Sequence, residues 1–160
     1  PKYHPKTEAL GVIDEASAAI GAARAICNDT SSKTLLVEIQ RDLYHMMAEI
    51  AAAPENSAQF RKIDADRVGW LESQVDRLSD AVLMPGEFIL PGDSPAGGLL
   101  SLARAIVRRA ERRVAELLHG GQIVNPELLR YLNRLSSLCF ALELKENQIA
   151  GIDTPTLARE

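Results

Sequence analysis

The sequence predicts an all-α fold: a five-helix antiparallel bundle forming a single domain over residues 1–160. Three observations carry that expectation. Apolar residues recur at three- and four-residue steps along most of the chain, the period of one helix face. A length of 160 residues and a mass of 17.4 kDa suit one domain with one core. The stretches between periodic segments are mostly short and rich in polar residues, Pro and Gly, and short connections join antiparallel neighbours.

The first helix is expected over Thr7–Ala25, where Leu10, Ile13, Ile20 and Ala23 share a face. Ala16, Ala18, Ala19 and Gly21 would let another helix approach closely. Asn28–Ser32 reads as a polar turn. A second helix is expected over Thr34–Ala53, with Leu35, Ile39, Leu43, Met46, Met47 and Ile50 on one side and Pro54 closing it. A third is expected over Ala58–Leu83, with the stripe Val68, Leu71, Val75, Leu78 and Val82. The segment Met84–Pro95 breaks the pattern, because three prolines and two glycines surround Phe88-Ile89-Leu90. A brief strand is one reading; within a helical chain an ordered loop is the expectation. Ser94 then suits a helix cap with Pro95 at the first helical position, and the fourth helix runs to His119 before Gly120-Gly121 stops it. Asn125-Pro126-Glu127 opens a fifth that continues to Ile149.

Composition narrows the function classes. Hydrophobic residues make up 46% and charged residues 25%, which excludes collagen, long disorder and a disulfide-stapled miniprotein. No apolar run approaches the roughly 20 residues needed to span a bilayer, and residues 1–10 contain no signal-peptide apolar block. A net charge of -4 argues against a general nucleic-acid coat. Cys27 and Cys139 lie far apart without metal-ligand spacing, which points to a reducing cytosol or organelle matrix. Aromatics are only 4%, so the core is expected to be aliphatic. The chain opens on Pro1 rather than Met, and the expectation is that an initial segment precedes it.

The informative residues are polar groups at the edges of apolar stripes, since burying them costs free energy unless they are paired. Asp14 borders the buried face of the first helix and either points outward into water or meets a partner. In the fourth helix Arg104, Arg108, Glu111 and Arg112 fall at steps of four, three and one; the first three share a face, while Arg109 and Arg113 lie off that line. The five arginines of residues 104–113 make a local cationic field in an acidic protein. Guanidinium forks suit phosphate oxygens; the bland alternative is a solvated face rich in ion pairs. Asn133 stands at the edge of the fifth helix's stripe, where it could read an adenine edge or a ribose, or tie two helices together. A di-metal carboxylate bundle is a rival, because Asp42-x-x-His45 and Glu116-x-x-His119 mimic its ligand pattern. His45 projects away from its stripe, His119 abuts the glycine stop, and the further glutamates such a site needs are not evident.

Together these residues resemble a known family. The run Phe88-Ile89-Leu90-Pro91-Gly92, then Ser94-Pro95, then Ala103-Arg104 through Arg108-Arg109-Ala110-Glu111-Arg112-Arg113, is similar to the central signature of PduO-type ATP:cob(I)alamin adenosyltransferases. So is Tyr131-Leu132-Asn133-Arg134-Leu135-Ser136 and, more loosely, Glu8–Glu15 through Ile20-Gly21. The matches are collinear and cover most of the chain. The resemblance implies a ferritin-like five-helix bundle, assembling as a homotrimer with active sites between subunits. The implied reaction transfers the 5′-deoxyadenosyl group of ATP to Co(I) of reduced cobalamin, cob(I)alamin, releasing triphosphate in the presence of Mg²⁺. It also implies roles. Phe88 would occupy the lower corrin face and keep the dimethylbenzimidazole base off. Arg104 would pair with Asp14 at the subunit boundary. Arg108 would contact the phosphates, and Glu111 and Asn133 the nucleotide. The product would serve an adenosylcobalamin-dependent client enzyme in the cytoplasm, with no nucleic-acid or membrane partner.

The sequence departs from the family pattern in places. The Gly/Thr/Asp-rich phosphate-binding segment that usually precedes the first helix has no counterpart in these residues. Ala16-Ser17 stand where Leu-Asn is usual, Ser137 where an acid is common, and Asp93 and Gly97-Gly98 replace commoner Gly and Ala. A non-catalytic nucleotide- or cobalamin-binding homologue acting in delivery or regulation is therefore the alternative; a nucleic-acid module on the arginine helix conflicts with the acidity.

Overall fold

The computed structural model describes residues 3–53 and 55–159. The expected closure of the second helix by Pro54 lies outside the described residues. Five α-helices follow in order: α1 (Pro5–Ile26), α2 (Thr30–Ala51), α3 (Ala65–Ala81), α4 (Pro95–His119) and α5 (Glu127–Ile149), with a 3₁₀ turn at Ser57–Phe60. The expected five-helix chain is therefore present; the α4 and α5 bounds agree, and two starts, those of α2 and α3, differ by more than two residues.

The polar turn before α2 is shorter than expected. Asp29 caps the helix by accepting from Ser32 N–H, so Thr30–Lys33 are already helical. The expected third helix over Ala58–Leu83 is broken. After the 3₁₀ turn the chain extends through Arg61–Asp64, and Asp64 caps a fresh start by accepting from Arg67 N–H. Ile63, wholly buried, anchors that extension. His4, which carries no signal in the sequence, caps α1 through its Nδ1.

Contacts between helix ends fix the up-and-down order. The C-terminal part of α5 meets the α1–α2 turn, where Lys145 Nζ lies 2.6 Å from Asp29, and it also meets the start of α4, where Ser94 Oγ donates to Asn147 Oδ1 at 2.6 Å. At the far end the last turn of α2 meets the start of α5, Asn125 Nδ2 donating to Glu49 Oε2 at 3.2 Å. Consecutive helices thus run antiparallel, as short connections require. As expected from low aromatic content, the core is built of Leu, Ile, Val and Ala, with Tyr131 the largest wholly buried side chain. Gly21 admits α2 at close range: a Cβ there would stand 3.1 Å from Gln40 Nε2, which donates to Ser17 O. No described helix is long and apolar enough to cross a membrane.

Candidate functional site

The loop between α3 and α4 brings Phe88 to the end of the bundle where α4 begins. Phe88 is 88% exposed, unusual for a large aromatic with no polar handle. Beneath it lies an open cleft of about 380 Å³, walled by Phe88, Ile89 and Pro91 from the loop, Ser101 and Arg104 from α4, and Phe140 and Glu143 from α5. Arg104 is half-buried; its guanidinium carbon stands 5.8 Å from the Phe140 ring centroid. Its buried Nε finds no hydrogen-bond partner, a costly arrangement in the bare chain. Glu143, only 1% exposed, lines the same cleft. Burial pushes its carboxyl pKa up, with the Ser101 hydroxyl and the Arg104 charge opposing that rise.

The remaining expected site residues lie apart from this cleft. Glu111 is on the same side of α4, two turns further along, and accepts from Asn133 Nδ2 at 2.8 Å. Arg134 in turn donates to Asn133 Oδ1 at 2.8 Å. Of the uses open to Asn133, the tie between α4 and α5 is therefore realised. A shallow depression beside this pair is also lined by Glu72 and Arg130. Arg108, between Arg104 and Glu111, is exposed and makes no ion pair with another described residue. Asp14 is exposed on α1, in a surface groove shared with Leu10, Tyr44 and Met47. Within one chain it makes no bond to Arg104. The α1–α4 ion pair is instead Arg109 with Glu15.

The di-metal pattern dissolves in the structure. Asp42 is buried, and its Oδ2 accepts from Tyr131 OH at 2.5 Å and from Arg67 Nε at 2.8 Å, which ties the carboxylate to α5 and α3. His45 meets Tyr44 edge-on with centroids 5.6 Å apart, and Glu116 pairs with Arg113. Among the described residues no three His, Cys, Asp or Glu side chains converge on one point.

Sequence reasoning missed several of these groups. The Asp42–Arg67–Tyr131 cluster had a partial signal, since Asp42 sits one residue before Leu43 of the buried stripe. Glu143, Glu146 and Asn147 had one too: they fall on the apolar side of α5 among Leu142 and Leu144. The departures at Gly97 and Asp93 acquire reasons. A Cβ on Gly97 would stand 2.2 Å from Asn147 Oδ1, so the glycine makes room for the Ser94–Asn147 bond. Asp93 bonds to Thr156.

The family sequence model described as cobalamin adenosyltransferase matches residues 1–146. The chain belongs to the cobalamin adenosyltransferase family. Its relatives include the corrinoid adenosyltransferase PduO of Salmonella typhimurium, 39% identical over 150 residues, which are 93% of this chain and 44% of that protein. The corrinoid adenosyltransferase of Bacillus subtilis is 36% identical over 151 residues, 92% of this chain and 77% of that one. The chain thus spans under half the length of the first of these relatives. Among solved structures, a variant PduO-type ATP:corrinoid adenosyltransferase from Lactobacillus reuteri complexed with cobalamin and ATP superposes with a TM-score of 0.88. It is 29% identical, and the match covers 99% of this chain and 86% of that one.

Proposed function

We propose that this family member transfers the 5′-deoxyadenosyl group of ATP to Co(I) of reduced cobalamin, releasing triphosphate and giving adenosylcobalamin. The observation that carries the reading is the pairing of an exposed Phe88 with a half-buried Arg104, whose Nε lacks a partner, in one cleft at the end of the bundle. An aromatic ring left in water gains free energy when a flat apolar face covers it. The corrin ring offers such a face.

In this reading cobalt supplies the nucleophile and attacks the ribose C5′, so the protein's tasks are positioning and charge neutralisation. Phe88 covers the lower corrin face and keeps the dimethylbenzimidazole base off, leaving a four-coordinate cobalt that is easier to reduce. Arg108, exposed and unpaired, takes the phosphates with its paired donors. Glu111 and Asn133, already bonded to each other, present an acceptor edge and an amide to the nucleotide. Glu72 lines the same depression, and its carboxylate would help to hold a Mg²⁺ ion, which would neutralise the phosphate charge.

Arg104 finds the partner it lacks when Asp14 of an adjacent subunit reaches it, which makes the active site an inter-subunit one in a homotrimer. The groove around Asp14, with Tyr44 65% exposed beside Leu10 and Met47, is the kind of apolar surface that association covers. The cytoplasm suits the two unpaired cysteines, whose thiols burial pushes up to about 12. The recipient of the product is an adenosylcobalamin-dependent client enzyme.

The test is an anaerobic assay with ATP and chemically reduced cobalamin. The expected result is the visible spectrum of the alkyl-cobalt product together with triphosphate. Binding of both substrates without that spectrum would replace the enzyme with a carrier.

A further inference from the structure

A side chain as exposed as Phe88 is not held by packing, so its place depends on the backbone that carries it. Every hydrogen bond that residues 84–93 make to other described residues ends on Thr156 or Ala158. The C-terminal segment 152–159 folds back along the loop as a strap. Leu90 N–H donates to Thr156 O and Ala158 N–H donates to Phe88 O, both at 2.8 Å, around an antiparallel bridge between Ile89 and Leu157. At the loop's exit, Asp93 closes the strap with its carboxylate. Oδ2 accepts from Thr156 N–H at 2.9 Å and Oδ1 from the Thr156 hydroxyl at 2.6 Å. The next residue, Ser94, donates to Asn147 Oδ1, and the strap leaves α5 with Ile152 N–H donating to Asn147 O. Loop and strap are therefore rooted on one residue of α5 and clipped together at Asp93, and the paired stretch beyond the clip carries Phe88.

We infer that Asp93 and Thr156 are positioning residues: their paired hydrogen bonds clip the strap to the loop and so set where Phe88 stands in the cleft. The inference rests on the proposed corrinoid reading of that cleft. A carboxylate accepting two donors from one residue fixes both distance and direction, which a single bond does not. Asp93 replaces a commoner small residue of the family pattern, and only a side chain with two acceptor oxygens makes this clip. Loss of the clip leaves α4, its Ser94 cap and the Glu111–Asn133 pair untouched, so the nucleotide side of the site is expected to stay as it was.

The test uses the full chain and its Asp93→Ala, Thr156→Val and Thr156→Ser variants. Three quantities are measured: amide exchange at Leu90 and Ala158, binding of cob(II)alamin in the presence of ATP, and the KM for corrinoid against that for ATP. Asp93→Ala loses both hydrogen bonds of a partly exposed carboxylate, and we expect roughly tenfold faster exchange, roughly tenfold weaker corrinoid binding and a correspondingly higher corrinoid KM; Thr156→Val keeps the main-chain N–H bond and should show about threefold changes in the same directions. ATP KM stays within about twofold in the same variants, because the clip does not reach the nucleotide side. Thr156→Ser keeps the hydroxyl and behaves as wild type. Unchanged corrinoid binding, or equal losses toward ATP and corrinoid, overturns the inference. Should the wild type bind cob(II)alamin without turnover, the proposed activity falls while exchange and binding still decide the clip; if it binds no corrinoid at all, both fall.

Discussion

Replacing Gly97 by Ala opposes two effects that the structure allows to be weighed. Alanine in a helix is favoured over glycine by up to about 1 kcal/mol, and by less in the first turn. Against this, the added Cβ would stand 2.2 Å from Asn147 Oδ1 and 2.9 Å from Ser94 Oγ. The amide of Asn147 has little room to retreat, being 3% exposed and bonded to Ser94 at 2.6 Å. Displacing it breaks that bond and leaves a buried polar group unsatisfied, which costs about 1–3 kcal/mol. The Ser94 cap on Gly97 N–H is disturbed as well, a further loss of about 1 kcal/mol. The balance is a destabilisation of about 1–3 kcal/mol, read as a lower urea midpoint with unchanged slope and a Tm lower by about 2–4 °C per kcal/mol. Asn147→Ala removes the nearer obstruction and frees the Ser94 hydroxyl to shift, so in its background Gly97→Ala should cost clearly less than it does alone. If Gly97→Ala alone is as stable as wild type, or the two substitutions are simply additive, the steric argument is wrong.

Four further outcomes are expected. Arg67→Ala should lower stability by about 3 kcal/mol in denaturant titration, because it strips the partner from a buried Asp42 carboxylate and removes the stacking on Trp70 at 3.7 Å; a loss below about 1 kcal/mol would show that water replaces the guanidinium. Arg104→Ala should abolish most turnover with helical circular dichroism retained, and unchanged activity would remove Arg104 from the site. Phe88→Ala should lower the yield of four-coordinate cobalt seen by visible spectroscopy far more than it weakens ATP binding; a normal rate would refute its role. The Lys145 ammonium, and then the Ser31 hydroxyl, hold the Asp29 carboxyl far below the usual carboxylate range. The stability this contributes is complete above the unfolded pKa of about 4 and declines as pH falls below it. Urea midpoints compared at pH 5 and pH 3 should therefore differ less in Lys145→Ala than in wild type, and equal differences would count against the pairing.

Much of the architecture was legible because helical periodicity is a local property. The α4 and α5 boundaries follow from Ser94-Pro95, Gly120 and Pro126, whose effects act within one turn. The α2 start and the break before α3 were not read, because Asp29 and Asp64 cap from inside stretches taken as a polar turn and as continuous helix. Of the candidate site, the Phe88 loop and Arg104 come together as the motif pattern suggested. Asp14 and Arg104 do not meet within one chain, and periodicity in a single sequence says nothing of which face of a helix another chain would cover. Glu143 and the Asp93–Thr156 bonds were illegible for a related reason. Their partners lie on other elements, and only the fold says that α5 and the C-terminal segment border the same loop.

Glu146, wholly buried near the close of α5, accepts from the main-chain N–H groups of Asn28 and Asp29, 118 and 117 residues earlier. Two amides at the first inter-helix corner therefore obtain their acceptor from α5, the last of the five helices to be synthesised. Until that carboxylate arrives, the corner has only water to satisfy it, and the first helical hairpin is a provisional structure. Final locking of the bundle therefore waits for its fifth helix, which grips the bend between the first two.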